Sequence, residues 1–292
     1  MKIKGVLPAL ATPLNADESI NTDALKKLIN YLMEKKADGF YIGGGTGEGH
    51  NLRIGERMKL AEEAVKEIGG RVPAIIQVAS TVFSSAVELA RHAENIGADA
   101  ISATAPLYFS YDENDVYNYY KTLAESVHIP VMVYYSPQAN FKMNANFAAR
   151  LFEIDNITAI KWTSSDYYEM VKLHDMTKGE MSIINGFDEM LLMGLSAGAD
   201  AGIGTTYNFM LENFRGIYDN FSSGNIEKAQ EIQAKTDRII SALLKYQVIP
   251  ATKVVLRNMG FDVGEASFPM KRYTKSEEEK IVSEIRAVGL KI

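Results

Sequence analysis

Eight short apolar segments, each followed by a longer amphipathic segment, restrict the fold of this 292-residue chain more than any other feature. The short segments have the length and β-branched content of buried strands, and they span residues 6–11, 39–42, 74–78, 100–103, 131–134, 157–161, 182–185 and 201–203. The longer segments repeat apolar residues three and four positions apart, as helices do, for example at 22–36, 54–68, 84–96 and 112–127. Strands that alternate with helices predict a parallel α/β sheet, and eight such units predict a closed (β/α)8 TIM barrel.

A doubly wound open sheet is the alternative, but the chain has no strong dinucleotide-binding fingerprint to support it. A repeated tetrapeptide supports the barrel. Gly-Ala-Asp-Ala occurs at 97–100 and at 198–201, each time between a helix end and a strand start, and a weaker copy lies at 37–39. The glycine ends the helix with a residue that tolerates positive φ, and the aspartate is interpreted as a turn residue.

Helix boundaries and the end of the barrel can also be located. Ser84, Asp112 and Asn144 are predicted helix N-caps. After residue 222 the strand-like segments stop, and residues 225–246, 250–259 and 276–288 all have helical patterns. We therefore predict a barrel domain over 1–222 and a C-terminal helical appendage over 223–292, which packs on the barrel rather than forming an independent domain.

The composition excludes several classes of protein. With 47% hydrophobic and 23% charged residues the chain is expected to be globular, and its net charge of -6 offers no basic surface for nucleic acid. It contains no cysteine, which excludes disulfides, thiolate zinc sites and cysteine nucleophiles. No apolar segment reaches the length of a membrane span, and residues 1–5 show no signal-peptide pattern, so a cytoplasmic location without a membrane partner is expected.

Lys161 stands at the end of the sixth predicted strand, after four β-branched or apolar residues. Burial there disfavours the charged ammonium and so favours a neutral, nucleophilic amine. The alternative is a lysine that extends to solvent from the strand end. Trp162 is interpreted as packing that helps to keep the amine dry.

Polar residues follow most of the predicted strands, at the barrel rim where active sites of this fold lie. The glycine-rich segment 43–49 brings backbone N–H groups close together and is suited to holding a carboxylate or phosphate, although a tight turn without a ligand is equally consistent. Tyr134 is either core packing or a proton shuttle. Asp188 and Glu189 are interpreted in one of two ways. Either they stand at a helix N-terminus, where negative charge is favourable, or they accept hydrogen bonds from sugar hydroxyls.

The four histidines, His50, His92, His128 and His174, lack the spacing of metal ligands. Three of them fall in helices or at helix ends, where surface positions are expected. His50 follows the glycine-rich segment and is expected to line the pocket mouth. We expect no metal site.

With these motifs the sequence resembles the pyruvate-dependent class I aldolases of the dihydrodipicolinate synthase/N-acetylneuraminate lyase superfamily. The resemblance covers essentially the whole chain and rests on the segment 43–48, on Tyr134 three residues before Pro137, on Lys161, and on the segment 202–204. It implies that Lys161 forms an imine with substrate, that Tyr134 transfers protons, and that no cofactor beyond this imine is needed.

The segments 186–190 and 204–208 are similar to those of the N-acetylneuraminate lyase branch. This resemblance implies small-molecule substrates, namely sialic acid, pyruvate and N-acetylmannosamine, and a homotetramer in which Tyr108 reaches a neighbouring subunit's site. It also implies a set of substrate-binding residues: Gly45 and Thr46 at the carboxylate, Thr163 beside the cleaved bond, and Gly186, Asp188, Glu189 and Thr205 along the sugar.

Two positions depart from the family pattern. Gly45 replaces the serine that usually precedes the threonine, which keeps a backbone N–H but removes a hydroxyl that relays protons to Tyr134. Ala139 stands where the synthase branch has an arginine, which argues against the synthase because an aldehyde carboxylate would lack a partner. The alternatives are another aldolase of the superfamily, acting on a 2-keto-3-deoxy sugar acid or resembling the synthase, and a non-catalytic protein that binds keto acids.

Overall fold

The computed structural model describes residues 2–136 and 139–292. Its eight strands are all parallel and lie in the order β1-β8-β7-β6-β5-β4-β3-β2. They are β1 (Gly5–Pro8), β2 (Phe40–Ile42), β3 (Ala74–Gln77), β4 (Ala100–Thr104), β5 (Val131–Tyr135), β6 (Ile157–Trp162), β7 (Ser182–Asn185) and β8 (Ala201–Gly204). The ring closes where the Leu10 N–H donates to the Tyr41 carbonyl at 2.8 Å. The predicted (β/α)8 TIM barrel is confirmed.

A helix follows every strand. These helices are α1 (Thr22–Glu34), α2 (Ile54–Ile68), α3 (Phe83–Asn95), α4 (Glu113–Glu125), α5 (Ala145–Phe152), α6 (Tyr167–Met176), α7 (Leu191–Ser196) and α8 (Tyr207–Ser222). The C-terminal helices are α9 (Ile226–Leu243), α10 (Val248–Asn258) and α11 (Lys275–Ala287). In the described ranges no single helix is long and apolar enough to span a membrane. Taken together, α9 and α10 have that length and composition, but the pair is bent by 108°.

Strand alternation divides the core in two. Side chains on one face of each strand fill the barrel interior, among them Leu7, Tyr41, Met132, Ala159 and Ile203, while the opposite face packs against the helices. Because side chains alternate along a strand, the residues two positions beyond Met132 and Ala159 also point inward. Those residues are Tyr134 and Lys161, which are register partners on β5 and β6.

The repeated Gly-Ala-Asp segments have a common role. Gly97 and Gly198 adopt the left-handed conformation, with φ of 81° and 99°. The aspartate that follows accepts a hydrogen bond from a backbone N–H of a neighbouring strand: Asp99 from Ala74 at 2.8 Å, and Asp200 from Ile183 at 3.1 Å. The turn-residue interpretation is therefore confirmed, and the aspartates also tie adjacent strands together.

Two of the three predicted N-caps are confirmed. Asp112 accepts from the N–H groups of Asn114 and Asp115 in a capping box, and Asn144 accepts from Phe147. The prediction that Ser84 is an N-cap is wrong. Helix α3 begins earlier, and its N-cap is Val82, which offers no side-chain acceptor.

The C-terminal helices pack on the barrel beside the loops that follow β7 and β8. Gln233 of α9 accepts from the Leu192 N–H at 3.1 Å and donates to the Asp188 carbonyl at 3.2 Å. Both groups of this buried amide are thereby satisfied. The contact fixes α9 against the end of β7, next to the barrel mouth.

Candidate active site

A cavity of about 530 Å³ opens at the C-terminal end of the barrel. Nine of the predicted site residues line it: Gly45, Thr46, Tyr134, Lys161, Thr163, Gly186, Asp188, Glu189 and Thr205. They come from the ends of β2, β5, β6, β7 and β8. The structure thus brings together residues far apart in sequence, at the rim where this fold positions its chemistry.

Lys161 lies at the floor of this cavity and is only 6% exposed. Its Nζ lies 4.2 Å from the ring centroid of Tyr134 and 5.1 Å from that of Tyr41. Both rings present their π-faces to the amine, which stabilises a cation there. The alternative in which Lys161 extends to solvent from the strand end is therefore wrong.

Tyr134 is partly buried beside this amine. Burial by itself raises the pKa of its phenol, but the positive charge of Lys161 and the nearby polar groups of Ser136, Thr163 and Lys161 outweigh burial and hold that pKa below its ordinary value of 10.0. A phenol whose phenolate is favoured, next to an amine, can exchange protons with a bound ligand.

Trp162 packs on the other face of β6. Its ring contacts Tyr135 at 4.9 Å between centroids, and it belongs to the core between strands and helices. The packing role is confirmed, but Trp162 does not line the cavity. Tyr41 covers the amine instead, and its phenol donates to the Ser102 hydroxyl at 3.2 Å.

The glycine-rich segment forms a compact turn over the cavity. The Gly45 carbonyl accepts from the Glu48 N–H at 3.0 Å, and the Thr46 and Thr205 hydroxyls are 2.7 Å apart. Within the described ranges, neither the Gly45 N–H nor the Thr46 N–H donates to another backbone group. Such paired N–H groups are suited to a carboxylate.

A buried ion pair anchors this segment, and sequence reasoning missed it. Nζ of Lys253 on α10 lies 2.6 Å from Oε1 of Glu48, and the two side chains are 1% and 0% exposed. Lys253 also donates to the Glu265 carbonyl at 2.8 Å, and the Ser267 N–H donates to Glu48 Oε2 at 2.6 Å. Burial lowers the pKa of Lys253, while the charge of Glu48 opposes this shift. A lysine inside an otherwise apolar helical segment was the available signal.

Asp188 lies in a 3-10 turn, Asp188–Met190, that follows β7. Its Oδ2 accepts from the N–H and the hydroxyl of Thr206, at 2.7 and 2.6 Å. Burial raises the pKa of Asp188 to about 6, although the Thr206 hydrogen bonds favour its carboxylate. One oxygen is therefore committed to the loop after β8, which leaves Oδ1 for a ligand.

Glycine is required beside two of these polar groups. A Cβ added at Gly186 would lie 2.0 Å from the Thr163 hydroxyl, and one at Gly204 would lie 2.1 Å from Asp188 Oδ1. The Thr163 hydroxyl is buried and has no hydrogen-bond partner of normal geometry in the described ranges. An orphaned hydroxyl of this kind is suited to a ligand oxygen.

His50 lines the cavity, as predicted. Its Nε2 lies 3.4 Å from Nε2 of Gln77, whose Oε1 accepts from Arg57 at 2.8 Å. Burial, assisted by the positive charge of Arg57, lowers the pKa of His50 to about 4, so its ring is neutral near pH 7. A neutral ring can hydrogen-bond a ligand but supplies no charge.

The other three histidines lie away from the cavity. His92 in α3 pairs with Glu62 at 2.8 Å, the side chain of His128 is almost fully exposed, and His174 lies in the last turn of α6. In the described part of the chain there is no group of three or more residues able to hold a metal ion.

Tyr108 is the one predicted site residue outside the cavity. It is 82% exposed, has a φ of 80°, and its ring contacts that of Phe109, at 4.9 Å between centroids. A role for Tyr108 in a neighbouring subunit's site, and the homotetramer itself, stay predictions. Pro137, part of the family motif, lies outside the described residues, whereas Ala139 lines the cavity.

An apolar wall completes the cavity, and sequence reasoning missed it. It is formed by α9 and the start of α10, through Ile240, Leu243, Leu244, Val248 and Ile249. The C-terminal helices therefore contribute to the site. The wall suits an apolar group at the end of the ligand distant from Lys161.

Known proteins resemble the chain over nearly its full length. The N-acetylneuraminate lyases of Clostridium perfringens and Rhizobium meliloti are 35% and 33% identical to it; the matches cover 95% of this chain in both cases, and 97% and 92% of those proteins. The solved structure of CdNal from Clostridium difficile in complex with mannosamine superimposes with a TM-score of 0.95, at 30% identity, over 99% of this chain and all of the other.

The model of the dihydrodipicolinate synthetase family matches residues 2–288. This match includes the eight strands, the loops that form the cavity and the C-terminal helices. The chain belongs to the dihydrodipicolinate synthetase family.

Proposed function

We propose that this protein is an N-acetylneuraminate lyase, a carbon–carbon lyase that reversibly cleaves N-acetylneuraminate to N-acetyl-D-mannosamine and pyruvate through an imine on Lys161. The observation that supports this most directly is the placement of the Lys161 amine 4.2 Å from the Tyr134 ring, at the floor of a cavity with a turn whose N–H groups are suited to a carboxylate. The N-acetylneuraminate lyase relatives support the choice of substrate.

The reaction begins with Lys161 in its neutral form. Its amine attacks C2 of the open-chain keto acid, and the N–H proton passes to the C2 oxygen. The carbinolamine then loses that oxygen as water, with a proton from the Tyr134 phenol. The products are a protonated imine on Lys161 and a phenolate at Tyr134, whose charge is favoured because its pKa is lowered from the ordinary value.

Cleavage uses the protonated imine as an electron sink. The C4 hydroxyl loses its proton, the C3–C4 bond breaks, and its electron pair forms the enamine as the C4 carbonyl appears. The proton from C4 oxygen returns to Tyr134, which then protonates C3 of the enamine. Water attacks the resulting imine, gives a proton back to the phenolate, and releases pyruvate and the free amine.

Ligand orientation comes from the two ends of the cavity. The N–H groups of Gly45 and Thr46 hold the keto-acid carboxylate, which fixes C2 over the Lys161 amine. Asp188 Oδ1 and Glu189 accept hydrogen bonds from sugar hydroxyls on the other side. Holding reacting atoms in this way supplies a large part of the acceleration in such reactions.

The acetamido group of the sugar fits the apolar wall of α9 and α10. Its methyl group is the one apolar substituent of the sugar, and the wall includes Leu243, Val248 and Ile249. Burial of a methyl group there stabilises the complex by about 0.8 kcal/mol.

We also infer that the enzyme is a cytoplasmic homotetramer in sialic acid degradation and that it needs no metal or organic cofactor. The exposed pair Tyr108 and Phe109 supports an oligomer, because large aromatic side chains at a protein surface favour contacts between proteins. Sedimentation equilibrium of the wild-type protein and of Tyr108→Ser tests this assembly. A monomeric wild-type protein would contradict it.

Trapping with borohydride tests the covalent intermediate. Incubation with pyruvate and borohydride should add a three-carbon acid to the chain, and peptide mass mapping should place it on Lys161. Lys161→Ala should take up no adduct, while Lys235→Met, which removes a surface lysine, should take up as much as the wild-type protein. An adduct elsewhere, or none in the wild-type protein, would contradict the mechanism.

Another pyruvate-dependent aldolase of the family is the second candidate. It is favoured by Asp188, because the commitment of Oδ2 to Thr206 leaves one oxygen for a polyhydroxylated aldehyde. A dihydrodipicolinate synthase is disfavoured by Ala139, which lines the cavity without a cation for the aldehyde carboxylate. Condensation of pyruvate with a panel of aldehydes distinguishes the two, since a lyase should prefer N-acetylmannosamine. Adduct formation without turnover of any aldehyde would instead indicate a keto-acid-binding protein.

A further inference from the structure

Gln233 is a buried amide on α9 to which the proposed reaction gives no role. It is 6% exposed and does not itself line the cavity. Its Oε1 accepts from the Leu192 N–H at 3.1 Å, and its Nε2 donates to the Asp188 carbonyl at 3.2 Å. The same Nε2 also donates to Oδ1 of Asp237 at 2.8 Å. This side chain therefore joins a C-terminal helix to the segment 188–192, which follows β7.

Helix α7 has no N-terminal cap of its own, and Gln233 serves in its place. The residue at the N-cap, Met190, makes no side-chain cap hydrogen bond, and the first N–H groups of a helix have no partner within that helix. The Oε1 of Gln233 accepts from one of these groups, the N–H of Leu192. At the other end of the segment, the Asp188 carbonyl accepts from the same amide. Helix α9 thus holds the segment at both ends.

The partners of the Gln233 amide also fix its orientation. The Leu192 N–H can only donate, whereas a carbonyl or an ionised carboxylate can only accept. An exchange of Oε1 and Nε2 would place two donors together at Leu192 and two acceptors together at Asp188. Asp237, one turn further along α9, opposes the exchange in the same way. The amide therefore donates to the Asp188 carbonyl in a single arrangement.

The segment that Gln233 holds carries the two carboxylates that face the sugar in the proposed function. Asp188 and Glu189 both line the cavity, and both belong to the 3-10 turn. Thr206 holds the Asp188 side chain through Oδ2. The direction of Oδ1, and that of the neighbouring Glu189, depend on the backbone of the turn. A hydrogen bond to that backbone therefore acts on both carboxylates.

The same helix contributes to the apolar wall of the cavity. Ile240 and Leu243 line the cavity further along α9. The wall and the two carboxylates consequently keep their relative positions because Gln233 ties α9 to the turn. A ligand with hydroxyl groups and an apolar substituent needs both parts of the cavity at once.

We propose that Gln233 is a positioning residue that determines how tightly the cavity binds the polyhydroxylated aldehyde, an inference that rests on the proposed lyase function. It holds the 3-10 turn so that Asp188 Oδ1 and Glu189 meet the hydroxyl groups of N-acetylmannosamine. It touches neither the ligand nor Lys161. A displacement of about 1 Å in groups of this kind can cost about a hundredfold in rate.

Gln233→Met keeps the approximate size of the side chain and removes its three hydrogen bonds. In condensation with pyruvate, we expect KM for N-acetylmannosamine to rise by about tenfold or more, the effect typical of a lost hydrogen bond to a charged group. KM for pyruvate should stay near the wild-type value. Exchange of the pyruvate methyl protons in deuterated water should also be unchanged, because it involves Lys161 and Tyr134 but not the turn.

Two further variants serve as controls. Gln230→Met makes the same replacement at an exposed position of the same helix, and it should match the wild-type protein in every measurement. Gln233→Glu keeps an acceptor for the Leu192 N–H but loses the donor to the Asp188 carbonyl, so it should also raise KM for N-acetylmannosamine. It tests the bond to Asp188 if Gln233→Met does not fold.

The outcomes separate the role of Gln233 from the lyase function. If both Gln233 variants only lower the unfolding temperature and keep the wild-type KM for N-acetylmannosamine, Gln233 is structural and the proposal is overturned. An equal rise in KM for pyruvate would overturn it too, because the whole cavity would then have changed. If the wild-type protein condenses pyruvate with a different polyhydroxylated aldehyde, the lyase function is overturned, and KM for that aldehyde decides on Gln233. A wild-type protein that condenses no aldehyde would overturn both.

Discussion

Replacing Lys253 with methionine should strongly destabilise the fold, because it removes one partner of the ion pair beneath the glycine-rich turn. Glu48 would keep its Ser267 N–H donor but lose the ammonium 2.6 Å from Oε1, in a place where its side chain is 0% exposed. Removing one partner of a buried ion pair typically costs about 3–5 kcal/mol. Against a total stability of about 5–15 kcal/mol, that is a large fraction.

Thermal unfolding and urea titration measure this loss. At about 2 °C per kcal/mol for a chain of this size, the midpoint should fall by roughly 5–10 °C. Lys235→Met is the matched control, because it removes the same side chain from a surface pair with Glu231 whose side chains are 56% and 47% exposed. That pair should contribute less than about 1 kcal/mol. The double variant Glu48→Gln/Lys253→Met should recover part of the loss, since no carboxylate is then left unpaired.

The same substitution should weaken binding of the keto acid. Since Glu48 is part of the turn that offers the Gly45 and Thr46 N–H groups, loss of Lys253 should raise KM for pyruvate in the condensation direction more than it lowers kcat. A Lys253→Met protein as stable as Lys235→Met would show that the buried ion pair does not stabilise the fold. A destabilised protein with an unchanged KM would refute only the link to the turn.

Two further predictions concern Asp188 and Tyr134. The pKa of Asp188 is about 6 in the folded protein, against an ordinary value of 3.8. Between these pH values the folded state binds more protons than the unfolded state. The fold should therefore lose up to roughly 3 kcal/mol of stability as the pH rises from about 4 to about 6. Asp188→Asn should not lose stability over this pH range. If the unfolding free energies of the wild-type and Asp188→Asn proteins depended on pH in the same way, a raised pKa of Asp188 would be contradicted. Tyr134→Phe should lower kcat for cleavage by about 10²–10⁴ while an adduct on Lys161 can still be trapped with pyruvate and borohydride, and turnover near the wild-type rate would exclude the phenol as the proton carrier.

The barrel could be predicted because its signals are local. Each strand is a short apolar segment, each helix has its own period, and the Gly-Ala-Asp segments mark the junctions between them. The fold in turn predicted where the site residues lie, since the carboxyl ends of parallel strands meet at one end of the barrel. Lys161, Tyr134, Thr46 and Asp188 converge for that reason.

Contacts between distant segments could not be predicted in this way. The pair of Glu48 and Lys253 joins the loop after β2 to α10, and neither segment alone indicates the other. The apolar wall from α9 and α10 required the path of the C-terminal helices over the barrel. Trp162 follows Lys161 directly, yet it points to the opposite face of β6, because side chains alternate along a strand.

One local signal, the N-cap predicted at Ser84, gave a wrong helix boundary. Ser84 has a good capping side chain, but α3 begins at Phe83, so its N-cap is Val82. Ser84 thus lies inside the first turn of the helix, after Phe83, whose ring packs on Tyr119 of α4 at 5.4 Å between centroids. Tyr108 is a different case, because its role depends on a second subunit.

Pyruvate release from N-acetylneuraminate, coupled to lactate dehydrogenase and NADH oxidation, distinguishes an imine-forming lyase from a protein that only binds keto acids. The wild-type protein should release pyruvate in an amount equal to the N-acetylmannosamine formed, and Lys161→Ala should release essentially none while remaining folded. Absence of pyruvate release by the wild-type protein, or undiminished release by Lys161→Ala, would contradict an imine-forming N-acetylneuraminate lyase.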